Sequence, residues 1–215
     1  MALTVERTDT LEAVNTMLTM LGEREVSALP SDDATVATIL PADIAEKTLH
    51  RISREVQSEG YEFNTEKEIE ITADGSGFLN IDSDVIKVDA TDTTKNYVFR
   101  DDKIYNAEDN TFVFTVGEVV EVDQIVMLAF EKLPETARRY ITIKAARIMM
   151  LEFLRDSQLY QLTAKQELDA KLAFDNEEWQ TGEHSMFHNY DSFSVIDREP
   201  RAMGHNRAII NGFID

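Results

Sequence analysis

The chain has 215 residues, 43% of them hydrophobic, and it contains no cysteine. A chain of this size buries roughly 70% of its unfolded surface, which allows one large core or two coupled ones, and the lack of cysteine excludes disulfides, thiolate nucleophiles and cysteine-ligated metal. Its 41 acidic and 21 basic residues give a net charge of −20, which disfavours tight binding to nucleic acid or to anionic membranes.

The N-terminal residues lack the apolar core of a signal peptide. The longest apolar run, residues 125–130, is much shorter than the ~20 residues that cross a bilayer. We therefore expect a soluble chain with no membrane partner.

Two helices are predicted in the first 60 residues. The first covers about residues 9–21, with Asp9 placed to cap its start and Gly22 placed to end it. The second covers about residues 42–59, because Pro41 suits a first helical turn. Its apolar residues have the spacing of one buried stripe: Ala45, Leu49, Ile52 and Val56.

The spacing of apolar residues changes from helical to alternating after Gly60. Residues 68–72 alternate like a half-buried strand, and residues 97–105 indicate a hairpin with Asp101 and Asp102 in its turn. Further strands are predicted over residues 78–81, 85–88, 111–116 and 119–130. Together they predict an antiparallel sheet of about five to seven strands within residues 65–130.

Helical spacing returns after Pro134. A third helix is predicted over about residues 135–155, and residues 148–154 are expected to be buried on more than one side because they are apolar on several faces. A fourth is predicted over about residues 160–181, and its expected buried stripe is Ala164, Leu168, Leu172 and Trp179.

The predicted fold is α+β, a four-helix bundle with an inserted, mainly antiparallel β lobe and an extended C-terminal arm. Residues 1–60 and 131–182 form the bundle, 61–130 the β lobe, and 183–215, which lack a sustained period, the arm. The β lobe is the most acidic part, with 16 acidic and 5 basic residues.

Three carboxylate pairs offer a hydrolase hypothesis: Glu68/Glu70, Asp82/Asp84 and Asp101/Asp102. Glycoside hydrolases hold two carboxyls ~5 to 10 Å apart in environments that separate their pKa values. These acids occupy solvent-facing strand positions or turns, so we expect no catalytic residue among them.

Neither a metal nor another cofactor is predicted. His184 and His188 have the spacing of zinc ligands on a helix, but Ser185 stands where the zinc metalloprotease motif has glutamate. Residues 74–77 lack the alternating ligands of a calcium loop and indicate a hairpin turn.

A basic patch is predicted on the third helix, from Arg138, Arg139, Lys144 and Arg147. Three interpretations remain open: ion pairs with the acidic lobe of a neighbouring subunit, a solvated surface, or a DNA contact.

Four stretches, in this order, resemble tail tubular protein A, the head-to-tail adaptor or gatekeeper family of short-tailed, podovirus-type bacteriophages. The first is residues 11–15 with Leu18, 21–23 and Val26, and the most recognisable is residues 52–64, ISREVQSEGYEFN. The others are residues 133–135 and, in the predicted helix that follows, 139–141 with 144–147. The resemblance covers about residues 10–180.

The resemblance implies a structural protein of the virion tail, assembled in the host cytoplasm, and not an enzyme. It implies a dodecameric ring between the portal protein and the tail nozzle protein, near tail fibres in some members, through which the genome passes without tight binding. The C-terminal segment would reach the portal or a neighbour, with contact candidates Phe187, Asn189, Tyr190, Phe193 and Ile196. Two alternatives are a virion-associated peptidoglycan-degrading enzyme and a small acidic assembly chaperone.

Overall fold

A computed structural model describes residues 7–33, 35–92, 95–154 and 157–181, which form a mixed α+β fold with four α-helices and two small antiparallel sheets. The backbone divides into two units after Glu178, and the second is described only over residues 179–181. The predicted arm and the pair His184/His188 lie outside the described residues. No helix in the described ranges combines the length and apolar content needed to cross a membrane.

The first two helices lie close to their predicted positions. In α1 (Thr10–Leu21), the Asp9 carboxylate accepts a hydrogen bond from the Glu12 amide at 2.7 Å, and Gly22 ends the helix with a φ of 80°. In α2 (Leu40–Gln57), Pro41 stands in the first turn. The predicted stripe of α2 is fully buried: Ala45, Leu49, Ile52 and Val56.

The third helix, α3 (Glu135–Leu154), packs against both α1 and α2. Its residues Ala137, Ile141 and Ala145 are buried in the helical core. Its last turn differs from the prediction, because Leu151 and Phe153 are exposed. Packing against α1 and α2 leaves this end of α3 uncovered by described elements.

The apolar stripe predicted for α4 (Ser157–Thr181) was assigned to the wrong face. Leu168, Leu172 and Trp179 are all exposed. Over residues 163–181, where the side chains of α4 are described, the buried ones are Thr163, Ala170 and Phe174. The Phe174 ring explains why this face of α4 is buried, since its centroid lies 4.6 to 6.1 Å from those of Tyr61, Phe63 and Tyr140.

Five strands form two sheets where the sequence predicted one. In the first sheet, β5 (Val119–Val126) lies between β1 (Thr65–Thr72) and β2 (Val85–Ala90), antiparallel to both. The second is a hairpin of β3 (Tyr97–Arg100) and β4 (Lys103–Asn106). As predicted, Asp101 and Asp102 form its turn, both at positive φ.

Two predicted strands are wrong. Residues 78–81 and 111–116 each contribute a single bridge, Asn80 to Lys103 and Asn106 to Thr111. Turns bound both stretches, and Gly77 just before the first and Gly117 just after the second have φ of 81°, so neither strand can continue in that direction. Both segments nevertheless bury apolar side chains, including Leu79, Ile81 and Phe114, in the core beneath the sheets.

The helices and the sheet meet through two buried amide side chains. The Gln57 side chain donates to the Leu128 carbonyl at 3.0 Å and accepts from the Leu128 amide at 2.8 Å. The Asn64 side chain donates to the Gln57 carbonyl at 2.9 Å and to the Val126 carbonyl at 3.2 Å. These bonds satisfy polar groups that would otherwise be costly to bury.

Candidate functional site

The basic residues predicted to form one patch on α3 are separated by the structure. Arg138 is 2% exposed, and its guanidinium donates to the carbonyls of Leu133 at 2.8 Å, Thr8 at 2.7 Å and Glu131 at 2.5 Å. It therefore joins the start of α1 to the segment that precedes α3. This use inside the subunit leaves little of the side chain for a neighbour.

Lys144 and Arg147 are also engaged within the chain. The Lys144 ammonium donates to the Glu55 carboxylate at 2.8 Å. Burial acts to lower the Lys144 pKa, but this bond and the neighbouring acidic groups outweigh it, so the pKa is raised. Arg147 forms an ion pair with Glu167 on α4. Arg139 is exposed and has no ion-pair partner among the described residues, so it is the member of the predicted patch best placed to meet another molecule.

The carboxylates considered for hydrolysis all lie on the surface of the described β lobe. Glu68, Glu70, Asp82, Asp84, Asp101 and Asp102 are all exposed. The turn at residues 74–77 forms as predicted, because the Asp74 carboxylate accepts from the amides of Ser76 at 2.8 Å and Phe78 at 3.0 Å. In the described ranges, no three His, Asp or Glu side chains group closely enough to hold a metal ion.

A cavity of about 690 Å³ lies beside α2, lined by Glu46 and Glu131 among others, and no pattern in the sequence indicated it. Glu46 is buried and accepts from the Ser31 amide at 3.0 Å and from its hydroxyl at 2.5 Å. Glu131 accepts a hydrogen bond from the Thr10 hydroxyl, and chiefly this bond lowers its pKa. Both carboxylates thus hold neighbouring segments in place.

The end of α4 contacts the loop between α2 and β1 through a carboxylate in acidic surroundings. Glu178 Oε2 accepts from the Glu62 amide at 2.8 Å. Burial, followed by the charges of Glu62, Glu177 and Asp175, raises the Glu178 pKa above its ordinary value of 4.5.

We expect Glu178→Gln to stabilise the protein at neutral pH. The amide oxygen still accepts from Glu62, but the charge is removed. Because the folded-state pKa is raised, the ionised group opposes folding above that pKa, and the effect disappears below pH 4.5. The exposed part of the group limits the gain to a few tenths of a kcal/mol, or about 1 °C in Tm. Thermal unfolding from pH 4 to 8 measures it, with exposed Glu23→Gln as control; an equal gain at every pH would contradict the charge argument.

The exposed apolar face of α4 is the strongest candidate for an interaction surface in the helical part. Leu168 and Leu172 are 57% and 52% exposed and lie one helical turn apart. They project from the side of α4 opposite Ala170 and Phe174, which face the core. The sequence identified these leucines as one stripe but could not show that they face outward.

A family model described as tail tubular protein matches residues 11–184 of the chain. No curated protein matches it. The matched segment begins in the first turn of α1 and includes both sheets, α3 and α4.

Proposed function

Because the chain belongs to the tail tubular protein family, and is thus a structural protein of a bacteriophage tail, we propose that it is the adaptor subunit between head and tail. Copies of the chain form a ring, dodecameric as the resemblance to tail tubular protein A implies. The ring joins the portal protein to the tail nozzle protein and surrounds the DNA channel.

The outward face of α4 is the observation that carries the proposed ring. Two leucines more than half exposed on one helical face are costly in water, and an interface removes them from it at roughly 25 cal/mol per Å². In a closed ring, this face of one subunit meets a different surface of the next, so each copy gains the burial once.

The charge distribution fits a ring that encloses DNA. Each copy has a net charge of −20, and three of the four cations predicted as a patch are engaged inside the subunit. A channel with few free cations has little with which to hold phosphates, so the genome passes without tight binding. Arg139 is the cation of this group that we assign to an ion pair with the acidic lobe of the next subunit.

The remaining contacts are proposed from the resemblance alone. The C-terminal segment, with Phe187, Asn189, Tyr190, Phe193 and Ile196, is assigned to the portal or to a neighbouring subunit. The nozzle protein binds the opposite side of the ring, and tail fibres attach nearby. Assembly takes place in the host cytoplasm.

Replacing both α4 leucines by glutamate, Leu168→Glu with Leu172→Glu, is expected to abolish the ring. The two charges would be buried without partners in the interface, which costs several kcal/mol for each subunit contact. The double variant Gln166→Glu with Ala173→Glu adds the same charge to exposed positions on a different side of α4 and is expected to preserve the ring. Mass photometry and negative-stain electron microscopy measure the assembly.

Two results would count against this proposal in different ways. Rings that persist in the leucine variant would place the interface elsewhere on the subunit. A wild-type chain that stays monomeric with its virion partners and is absent from purified particles would reject the adaptor function and favour an assembly chaperone.

A further inference from the structure

Three exposed valines mark one end of the β lobe. Val113, Val116 and Val119, here called the valine tip, are 55%, 63% and 51% exposed. Their segment folds over the turn at residues 73–77. The backbone bonds that hold it there run from the Phe114 amide to the Gly77 carbonyl at 2.8 Å and from the Ala73 amide to the Glu118 carbonyl at 2.8 Å.

The valine tip lies at the end of the sheet that is remote from the helical core. Strands β1 and β5 pair from Thr65 opposite Ile125 to Thr72 opposite Val119. The Ile125 end lies beside Gly60, close to the end of α2. Six residue steps of about 3.3 Å along β5 put the Val119 end roughly 20 Å further along the strand. The valine tip is therefore a separate surface from the exposed leucines of α4.

The fold of the lobe does not require these side chains to be apolar. Val116 stands in a turn closed by the bond from the Glu118 amide to the Thr115 carbonyl at 2.9 Å, a position where polar residues are usual. The buried neighbours Phe114, Val120 and Val122 already supply the core of the lobe. Apolar side chains exposed together without a role in folding are typical of interaction surfaces.

Charge determines which kind of partner this surface fits. The lobe carries 16 acidic and 5 basic residues over positions 61–130, and Asp74 and Glu118 belong to the turns at the valine tip itself. A second copy of the lobe, DNA and an anionic membrane are all repelled. The helical cations Arg138, Lys144 and Arg147 are engaged inside their own subunit, so these three offer no free charge to the acidic lobe of a second copy.

We propose that the valine tip docks a different protein of the particle, one whose contact surface has an apolar centre and a rim of lysine and arginine. The apolar centre covers the valines, and the basic rim faces the acids around them. The proposal depends on the proposed function only in taking the partner from the same particle; the ring does not require it.

The test uses the full chain against each other structural protein of the particle, purified singly, by biolayer interferometry at about 50 to about 300 mM salt. At least one protein is expected to bind through the valine tip, more weakly as salt rises, since rim charges dominate the salt dependence. The triple variant Val113→Ser, Val116→Ser, Val119→Ser is expected to bind it at least about tenfold more weakly. Val116→Ser alone changes a turn residue and leaves the fold intact, and it should weaken binding about threefold or more. Leu40→Ser removes a side chain that is also 63% exposed but begins α2, and should change nothing.

Three outcomes would overturn the proposal: no particle protein binds the wild-type chain, the partner binds the triple variant equally well, or the valines prove to mediate self-association. Mass photometry of the same valine variants should still show rings. Ring formation is tested with the leucine variants and docking with the valine variants, so the two proposals can fail separately. Persistent rings in the leucine variant would count against the adaptor proposal only, and unchanged docking of the triple valine variant would count against this proposal only.

Discussion

Replacing Arg138 by alanine is expected to lower the free energy of unfolding by about 3 to 5 kcal/mol, the cost of breaking a buried charged network. The three carbonyls that its guanidinium joins, on Thr8, Glu131 and Leu133, would lose their donor in a site that is 2% exposed. The segment before α1 would lose its tie to the segment before α3. Urea unfolding, with the midpoint and slope fitted together, measures the loss.

Arg139→Ala is the matched control. It removes the same side chain one residue along α3, where it is exposed and has no described ion-pair partner, and a change within about 0.5 kcal/mol is expected. Arg138→Lys keeps the charge but cannot fork toward three carbonyls, so we expect it to recover less than half of the loss. Equal stability of the alanine variants would show that the network does not hold the subunit together.

Gly77→Ala is expected to destabilise the β lobe by about 2 to 4 kcal/mol. Gly77 has a φ of 81°, and a Cβ there would lie 2.5 Å from the Phe114 carbonyl oxygen and 3.0 Å from Val113 Cγ1. The backbone oxygen cannot move away easily, because the Phe114 amide is itself bonded to the Gly77 carbonyl at 2.8 Å. Relief of the contact therefore has to disturb the segment that closes the core of the lobe.

Gly75→Ala, two residues away in the same turn, separates this contact from the general effect of losing a glycine. A Cβ at Gly75 meets nothing within 4 Å, and its φ is not in the left-handed range, so little change is expected. Gly22→Ala measures the cost of the left-handed backbone alone, since Gly22 has a similar φ of 80° but a Cβ there meets nothing within 4 Å. It should cost about 1 kcal/mol. If Gly77→Ala costs no more than Gly22→Ala, the close contact is not important.

Local signals in the sequence were enough to predict a helix and its buried face where the spacing of its apolar residues allowed a single interpretation. Helix α2 has a single apolar stripe and a proline in its first turn, and both predicted it correctly. Helix α4 has two apolar faces, one with Ala170 and Phe174 and the other with Leu168 and Leu172. Periodicity cannot choose between them, because the choice depends on aromatic rings supplied by the loop after α2.

The partners of the basic residues of α3 could not be predicted from the sequence for a related reason. Their spacing places them on one helix but says nothing about which acceptors reach them. The Thr8 carbonyl that Arg138 binds lies 130 residues away from it along the chain, and only the folded structure brings the two together. The valine tip likewise has no signal of its own, since the pattern of residues 111–116 and 119–130 predicts only strands of the sheet.

The paired bonds between the Gln57 side chain and the Leu128 backbone affect how the molecule responds to force. The amide of Gln57 makes the same two bonds to Leu128 that a residue of a neighbouring strand would make. Gln57 is fully buried, so water cannot replace either bond gradually while the other holds. We therefore expect rotation of the sheet about its junction with α2 to break the two bonds together, and a load on the sheet to displace α2 with little bending at the junction.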